Sequence, residues 1–255
     1  MDWTKKLMKQ IPKGAQRINR ILSLAGIASR RRADEMINAG RITVNDRVVR
    51  ELGSKAAWGQ DIIRVDGKEI PRPSGRIYLI LNKPFGYICS LKDPEGRAIV
   101  TELLKGVPQR VYPVGRLDFD TLGLLLLTND GDLSYRLTHP RYRVPRTYKA
   151  TVEGMITGDA LQSLKKGVML EDGFSGGSNA TLAGQSGGKS VIRITVTQGR
   201  NRLVRRMIEA AGYPTVHLIR TGFGSLDLGN LKPGQYRYLE PDELLALKRL
   251  VGLHA

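Results

Sequence analysis

Gly115-Arg116-Leu117-Asp118-Phe119-Asp120-Thr121-Leu122-Gly123 runs straight into Leu124-Leu125-Leu126-Leu127-Thr128-Asn129-Asp130-Gly131. The leucine run is too short for a membrane span and suits a strand buried on both faces. That strand anchors a Gly-bracketed loop holding an acid, Asp118, and an arginine, Arg116. Loops mounted on a rigid scaffold are where chemistry is displayed. Taken alone, the loop also fits a plainer role in which Asp118 caps a turn, so the rest of the chain has to decide.

Forty-one Lys and Arg against 24 Asp and Glu give the 255-residue chain a net charge of +17. A cationic field of this size concentrates phosphate-bearing ligands, so a polyanion is the expected partner. A membrane surface is the rival, but there is no basic amphipathic helix with a Trp/Phe/Leu face, and no stretch reaches transmembrane length. Cys89 is the single cysteine, and with His139, His217 and His254 it offers no metal-ligand spacing. A reducing, cytoplasmic setting fits, and a monomer is the default. Residues 1–15 carry lysines without a signal-peptide core and are expected to form a basic flexible tail.

A first unit is expected over residues 16–70. Ile18, Ile21, Leu22 and Ala25 recur at helical spacing up to Gly26. Ser29 is a good N-cap for a second helix, Arg30 to Ala39, stopped by Gly40. Ile42, Val44, Val48 and Val49 flank Asn45-Asp46, a hairpin-like signal, and Ile62, Ile63 and Val65 with Asp66-Gly67 suggest a further strand and turn. Pro71 to Gly75 read as a stiff linker.

Residues 76–255 read as many strands with a few helices. Strands are expected at 77–82, 124–128, 148–152, 191–197 and 216–219, and helices at 160–166 and 202–211. The absence of a regular strand-helix-strand repeat predicts an α+β fold with a mainly antiparallel sheet. The Gly/Ser-rich stretch Gly173 to Gly188 is expected to be a flexible loop.

Two basic segments point to phosphate. Ser29-Arg30-Arg31-Arg32 opens a helix whose N-terminus already attracts anions, and Arg17, Arg20 and Arg41 can join that face. In Gly199 to Met207, Leu203, Val204, Met207, Ile208 and Ala211 form an apolar stripe. Arg202, Arg205 and Arg206, at i, i+3 and i+4, are expected on the opposite face as a phosphate-binding ridge or a solvated cationic face. Arg200 precedes the helix and is free to point elsewhere. Gly188-Lys189-Ser190 is no phosphate loop, because the required earlier glycine is Ala183 and a strand follows. Asp118 and Asp120, roughly 7 Å apart in an extended chain, could imitate a glycosidase pair, but sugar-stacking aromatics are scarce.

The first unit resembles the S4-like RNA-binding domain, a small α/β module. The stretch runs through Arg17-Ile-Asn-Arg20-Ile-Leu, Ala25-Gly26-Ile-Ala-Ser29-Arg30-Arg31, Ile37-Asn-Ala-Gly40-Arg41-Ile-Thr-Val44-Asn45 and residues 61–67. The resemblance implies binding of structured RNA through Arg17, Arg20, Ser29, Arg30, Arg31, Arg32 and Arg41. Asp46 stands where a Gly is usual, which loosens the hairpin without changing the assignment.

The second unit resembles the pseudouridine synthases, in the subfamily of the ribosomal small-subunit synthase A and the large-subunit synthases B, E and F. The resemblance rests on Gly115-Arg116-Leu117-Asp118 with Thr121 and Gly123 to Gly131, on Asn82-Lys83-Pro84-Phe85-Gly86-Tyr87, on Arg146-Thr147-Tyr148, on Gly199 to Met207 and on Leu218-Ile219-Arg220. It implies conversion of a uridine in RNA to its C5-glycoside isomer with no cofactor and no metal. Asp118 would be nucleophile or base, Tyr148 would pack on the uracil, and Arg200 would pair with Asp118. Leu218 would wall the pocket, and Arg116 would help extrude the base. Lys83, Arg202, Arg205 and Arg206 are counted with the RNA-binding residues.

The chemistry suits these residue types. The carboxylate can add to ring or sugar or assist glycal formation, and the sequence leaves all three open. An Arg partner keeps it ionised, and an apolar or aromatic wall receives the unstacked base. Leu203 stands where many members have Gln, a change that bears on substrate choice. The expected partner is ribosomal RNA or a pre-ribosomal particle, with Leu91 to Arg97 favouring 23S over 16S RNA. A non-catalytic assembly factor would explain the charge but not Asp118, Tyr148 and Arg200 in three separate motifs. An S4-linked methyltransferase would need a glycine-rich nucleotide loop that the chain lacks.

Overall fold

The computed structural model describes residues 14–71 and 75–253. Residues 1–13 of the expected tail and 72–74 of the expected linker therefore lie outside the described residues, as does His254. Contacts within the chain cluster into two compact units that divide between Arg76 and Ile77.

In the first unit, helices α1 (Ile18–Leu24) and α2 (Arg30–Asn38) pack on a four-stranded sheet. The strands are β1 (Ile42–Val44), β2 (Arg47–Val49), β3 (Ile63–Val65) and β4 (Lys68–Glu69), in the order β2-β1-β3-β4. The helical spacing of the apolar residues decides the packing. Ile18, Ile21 and Leu22 of α1 meet Ala33, Met36 and Ile37 of α2 over Ile42 and Ile63. Ser29 caps α2 as expected, accepting the Arg32 N–H at 3.2 Å. Asn45 and Asp46 both take positive φ (49° and 62°), the tight hairpin geometry whose twist matches the strands it joins. Asp46 tolerates it, and its carboxylate pairs with Arg64.

In the second unit, seven strands form the main path of a nine-stranded sheet. They are β5 (Tyr78–Lys83), β6 (Thr121–Thr128), β7 (Arg146–Glu153), β8 (Asn179–Ser186), β9 (Lys189–Val196), β10 (Thr215–Phe223) and β11 (Tyr236–Tyr238). Their order is β8-β9-β7-β10-β6-β5-β11, and along it only the β10–β6 pair is parallel. The α+β reading with a mainly antiparallel sheet holds. The four leucines are fully buried, alternating between two cores. Leu124 and Leu126 join Ile80, Leu133, Leu137, Phe223 and Leu247, while Leu125 and Leu127 join Leu79, Leu81, Val111 and Leu117. Each contributes roughly 2 kcal/mol by leaving water. A third core, with Ala150, Ile192, Ile194, Met207 and Leu218, underlies β7, β9 and β10.

Three features depart from the expectations. The stretch expected as a flexible loop contains β8, an edge strand joined to β9 through Gly187 and Gly188, both at positive φ. Seven of its eight side chains lie on the exposed surface and only Ala180 is buried, so no apolar alternation advertised it. Helices α3 (Gly131–Thr138) and α6 (Pro241–Leu250) were also not anticipated, whereas α4 (Gly158–Lys166) and α5 (Leu203–Ala210) were. Asp130 caps α3, accepting the N–H groups of Asp132 and Leu133, and it also accepts the Tyr78 hydroxyl at 2.8 Å. The Thr-Asn-Asp-Gly end of the leucine segment is thus a strand-to-helix junction. Third, β6 begins at Thr121, so Gly123 is a strand residue. At φ 104° it faces Arg220 so closely that a Cβ would lie 2.2 Å from the Arg220 carbonyl oxygen. Only glycine lets these two strands pair there.

Candidate active site

The segment Leu117–Thr121 is fastened at several points. The Thr121 N–H donates to the Asp118 carbonyl (3.1 Å), closing a turn. The Gly86 N–H donates to the Phe119 carbonyl (3.1 Å), and the Leu117 N–H reaches Cys89 Sγ (3.3 Å). Lys83 Nζ donates to the carbonyls of Thr121 (2.9 Å), Pro84 (3.1 Å) and Phe119 (3.3 Å). Lys83 is therefore not placed to meet RNA: it is fully buried, and its ammonium is the knot of the loop. Burial pushes that ammonium below its usual range, against the opposing pull of Cys89, Asp120 and Asp118. From α5, Arg205 Nη2 donates to the Asp120 carbonyl at 3.0 Å.

Asp118 is half-buried in this frame, and among the described residues its carboxylate has no hydrogen-bond or ion-pair partner. It lies where two depressions meet. The inner one, about 230 Å³, is lined by Asp118, Tyr148, Leu218, Arg116, Arg200 and Arg202 among others. Tyr148 packs against two of the hydrophobic cores, so the cleft opens at their seam. Strand register explains the grouping. Tyr148 pairs with Arg220 and Ala150 with Leu218 across β7 and β10, which sets Arg146, Tyr148, Leu218 and Arg220 on one sheet face. Arg146 and Arg220 were given no role from sequence, yet both line the cleft. Arg220 is 1% exposed and donates Nε to the Leu124 carbonyl at 2.7 Å. The two guanidinium carbons sit 5.6 and 5.0 Å from the Phe223 ring centre. Their signal was the alternation that places them two residues from Tyr148 and Leu218.

The expected pairing of Arg200 with Asp118 is not what the structure holds. Arg200 binds Asp172 and the carbonyls of Phe174 and Gly173. The cause is the ribbon Met169–Leu170 with Gly173–Phe174, which presents Asp172 beside the Arg200 loop. Arg206 joins the same carboxylate at 2.7 Å. The hydrogen bonds of Arg206 and Arg200 hold Asp172 far below the usual carboxylate range.

Nor do Arg202, Arg205 and Arg206 share one ridge. Arg202 forms two parallel bonds to Asp120, at 3.0 and 3.1 Å, while Arg206 turns to Asp172. Arg205 is 8% exposed and points inward, because its neighbours Val204, Leu203 and Met207 hold α5 against the sheet. Burial pushes Arg205 below its usual range, with Asp120 and then Asp118 acting against that shift. At Asp120 burial works against the charge, but the Arg202 hydrogen bond and the fields of Arg205 and Arg202 outweigh it and hold the carboxyl low. Arg202, at φ 46°, takes a left-handed conformation unusual for a side-chain-bearing residue, the kind of local strain that collects at functional sites. Leu203, the residue standing in place of Gln, is buried and lines the cleft.

This geometry can be set beside known proteins. Residues 77–210 match the RNA pseudouridylate synthase family, and residues 16–63 match the S4 domain. The chain is 46% identical to an uncharacterized RNA pseudouridine synthase of Aquifex aeolicus, over 93% of this chain and 95% of that one. It is 43% identical to the ribosomal large subunit pseudouridine synthase B of Bacillus subtilis, over 92% of this chain and 96% of that one. The chain belongs to the RNA pseudouridine synthase family. A crystal structure of a pseudouridylate synthase superposes with a TM-score of 0.66 at 26% identity, over 91% of this chain and 99% of that one. The enzyme is thus an isomerase with an N-terminal S4 domain and a pseudouridine synthase fold.

In the S4 domain, Arg17, Ser29, Arg30, Arg31 and Arg32 are exposed and Arg20 is half-buried. Arg32 pairs with Glu35 at 2.5 Å, and Arg41 forms a forked pair with Asp66 at 2.9 and 2.5 Å. Arg30 and Arg31, at the start of α2, are exposed and have no ion pair among the described residues, so they are available to phosphate. Among the described residues no helix is long and apolar enough to cross a membrane.

Proposed function

We propose that this synthase isomerises a uridine of large-subunit (23S) ribosomal RNA, free or in a maturing particle, acting in the cytoplasm as a monomer. The reading is carried by one observation: the Asp118 carboxylate, without a hydrogen-bond or ion-pair partner among the described residues, at the head of a cleft walled by Tyr148 and Leu218. The 43% identity to the large-subunit synthase B over nearly the whole chain supports the choice of RNA. In this reading the C1′–N1 bond breaks, the uracil turns, C5 bonds to C1′, and the C5 hydrogen is released. Asp118 acts at the ring or sugar, Tyr148 packs on the uracil, and Leu218 closes the far wall. Arg116, exposed at the rim, helps to extrude the base. Arg205, rather than Arg200, supplies a buried positive charge whose field bears on Asp118. Arg200, Arg202 and Arg206 line or flank the entrance as anchored cations, and Arg17, Arg20, Ser29, Arg30, Arg31, Arg32 and Arg41 dock the RNA.

The test is tritium release from [5-³H]uridine-labelled 23S and 16S ribosomal RNA, with wild type beside Asp118→Asn. Wild type releases tritium from 23S RNA, and Asp118→Asn releases none while binding the RNA as tightly. Release by the variant, or its loss of binding to the same degree, removes Asp118 from the chemistry.

A further inference from the structure

Phe119 and Phe85 stand beside Asp118 with their rings in water: Phe119 is 47% exposed and Phe85 61%. Phenylalanine is normally well covered, and two such rings together at the mouth of a catalytic cleft form an exposed apolar surface. The rings touch edge to face, with centres 5.5 Å apart and planes at 63°. Such a contact covers the edge of one ring and part of one face of the other, and the exposed remainder of the pair offers a stacking face.

Their mounting is stiff. The buried Lys83 ammonium donates to the Pro84 carbonyl, in the peptide bond leading into Phe85, and to the Phe119 carbonyl. The Gly86 N–H donates to the same Phe119 carbonyl, and Gly86 takes the positive φ (84°) that this turn requires. One clamp thus fixes the backbone under both rings, so they are ordered before anything binds.

The surroundings identify the partner. Phe119 borders the outer groove that continues from Asp118, with Arg116 and Lys92 also lining it. Both cations are exposed and have no ion pair among the described residues. Aromatic faces for bases beside unpaired cations for phosphates are how single-stranded nucleic acid is held. A uridine turned out of its stack leaves neighbouring bases with a bare face, and covering that face offsets part of the cost of extrusion.

We propose that Phe119, braced by Phe85, is a stacking wedge that takes the face of a base adjoining the target uridine while that uridine occupies the Asp118 cleft. This rests on the catalytic reading of Asp118 given above. It adds a positioning element outside the reacting atoms, one that acts on RNA geometry.

Two readouts test it on the full-length protein. The first is quenching of a short single-stranded RNA carrying 2-aminopurine, which reports stacking without any reaction. The second is single-turnover tritium release from [5-³H]uridine-labelled ribosomal RNA. Base–aromatic stacking at one ring leads us to expect Phe119→Ala to lower RNA affinity and the release rate at sub-saturating enzyme by roughly tenfold. Phe119→Trp restores both, whereas Phe119→Leu, with apolar bulk but no π face, does not. Melting temperatures stay at the wild-type value because the ring is exposed. Wild-type quenching and release in Phe119→Ala and in the Phe85→Ala, Phe119→Ala double variant would overturn the wedge and leave a protein partner as the occupant of this surface. Equal performance by Leu and Trp at position 119 would also overturn it. The outcomes separate the two readings: Asp118-dependent release that ignores Phe119 sinks the wedge alone. Phe119-dependent quenching without any tritium release by wild type sinks the catalytic reading and keeps an RNA-stacking surface.

Discussion

Arg202 grips Asp120 through two parallel hydrogen bonds of 3.0 and 3.1 Å, tying the N-terminus of helix α5 to the loop that carries Asp118. Arg205 adds a bond to the Asp120 carbonyl and a contact of 3.3 Å to its carboxylate. Asp120 is thus the joint between two segments 82 residues apart in sequence. Held by both arginines and two residues from Asp118, it is placed to position the catalytic candidate.

Asp120→Asn keeps the shape but removes the charge that both arginines answer. Displacement of Asp118 by a fraction of an ångström is expected to lower the isomerisation rate roughly tenfold to a hundredfold, with RNA affinity little changed. The pH dependence gives a second check. The folded Asp120 carboxyl sits below its unfolded value of about 4, so it binds fewer protons folded than unfolded. Its stabilisation is complete above about pH 4 and drains away as pH falls through the folded value. Urea denaturation of wild type and Asp120→Asn between neutral and acid pH should show the gap closing below that point. Parallel curves would rule out the ionised joint.

Arg205 and Arg200 separate by where their charge is held. Arg205→Met removes a buried guanidinium that serves the carbonyls of Asp120 and Thr215 and bears on Asp118. A stability loss of about 3 kcal/mol and a rate loss of about a hundredfold are expected. Arg200→Met leaves Asp172 still paired with Arg206, so stability should hold and the single-turnover rate should fall less than about tenfold. Guanidinium denaturation and single-turnover tritium release measure both. If Arg200→Met proves the more damaging to the rate, the roles given to the two arginines are reversed.

Lys83→Met asks whether a lysine in a basic protein is an RNA contact or a structural one. Its loss takes a donor from three carbonyls in the loop, of which only that of Phe119 is shown to keep another, the Gly86 N–H, costing about 2 kcal/mol or more of stability, together with activity. The slope of log affinity against log salt should not move, because no phosphate contact has been lost. A slope reduced by about one would return Lys83 to the RNA-binding face.

What the sequence disclosed followed from local rules. Leu124 to Leu127 could be read because burial on both faces demands an unbroken apolar run, and Ser29 because a cap needs only its own side chain and an N–H three residues on. Asp118, Tyr148 and Leu218 could be named by resemblance, and strand register brings the latter two onto one sheet face. Strand β8 was hidden because an edge strand with one buried side chain carries no period. Arg200 was misplaced because its partner, Asp172, lies 28 residues away on a two-strand ribbon that no pattern marks. Lys83 was counted with the RNA-binding residues, where a lysine of a strongly basic chain is expected. Only the tertiary fold gathers the three carbonyls that make its burial tolerable.

The S4 domain offers a prediction independent of the catalytic cleft. Arg30 and Arg31 are exposed at the N-terminus of α2 without ion pairs among the described residues, whereas Arg32 and Arg41 are held by Glu35 and Asp66. Replacing both Arg30 and Arg31 with Ala should weaken binding of ribosomal RNA and reduce its salt slope by about 1.4 to 1.8, since each phosphate contact releases counterions. The matching change at Arg41 should do less to the slope, because Asp66 already answers its charge. It should instead loosen the turn that Asp66 and Gly67 make at the end of β3. Filter binding across a salt series measures the slopes, and thermal denaturation measures the turn. With saturating RNA the Arg30, Arg31 variant should still release tritium at the wild-type rate, because docking and chemistry reside on different units. An unchanged slope would move the docking face away from α2, and a lower rate at saturation would mean that the S4 domain does more than hold the RNA.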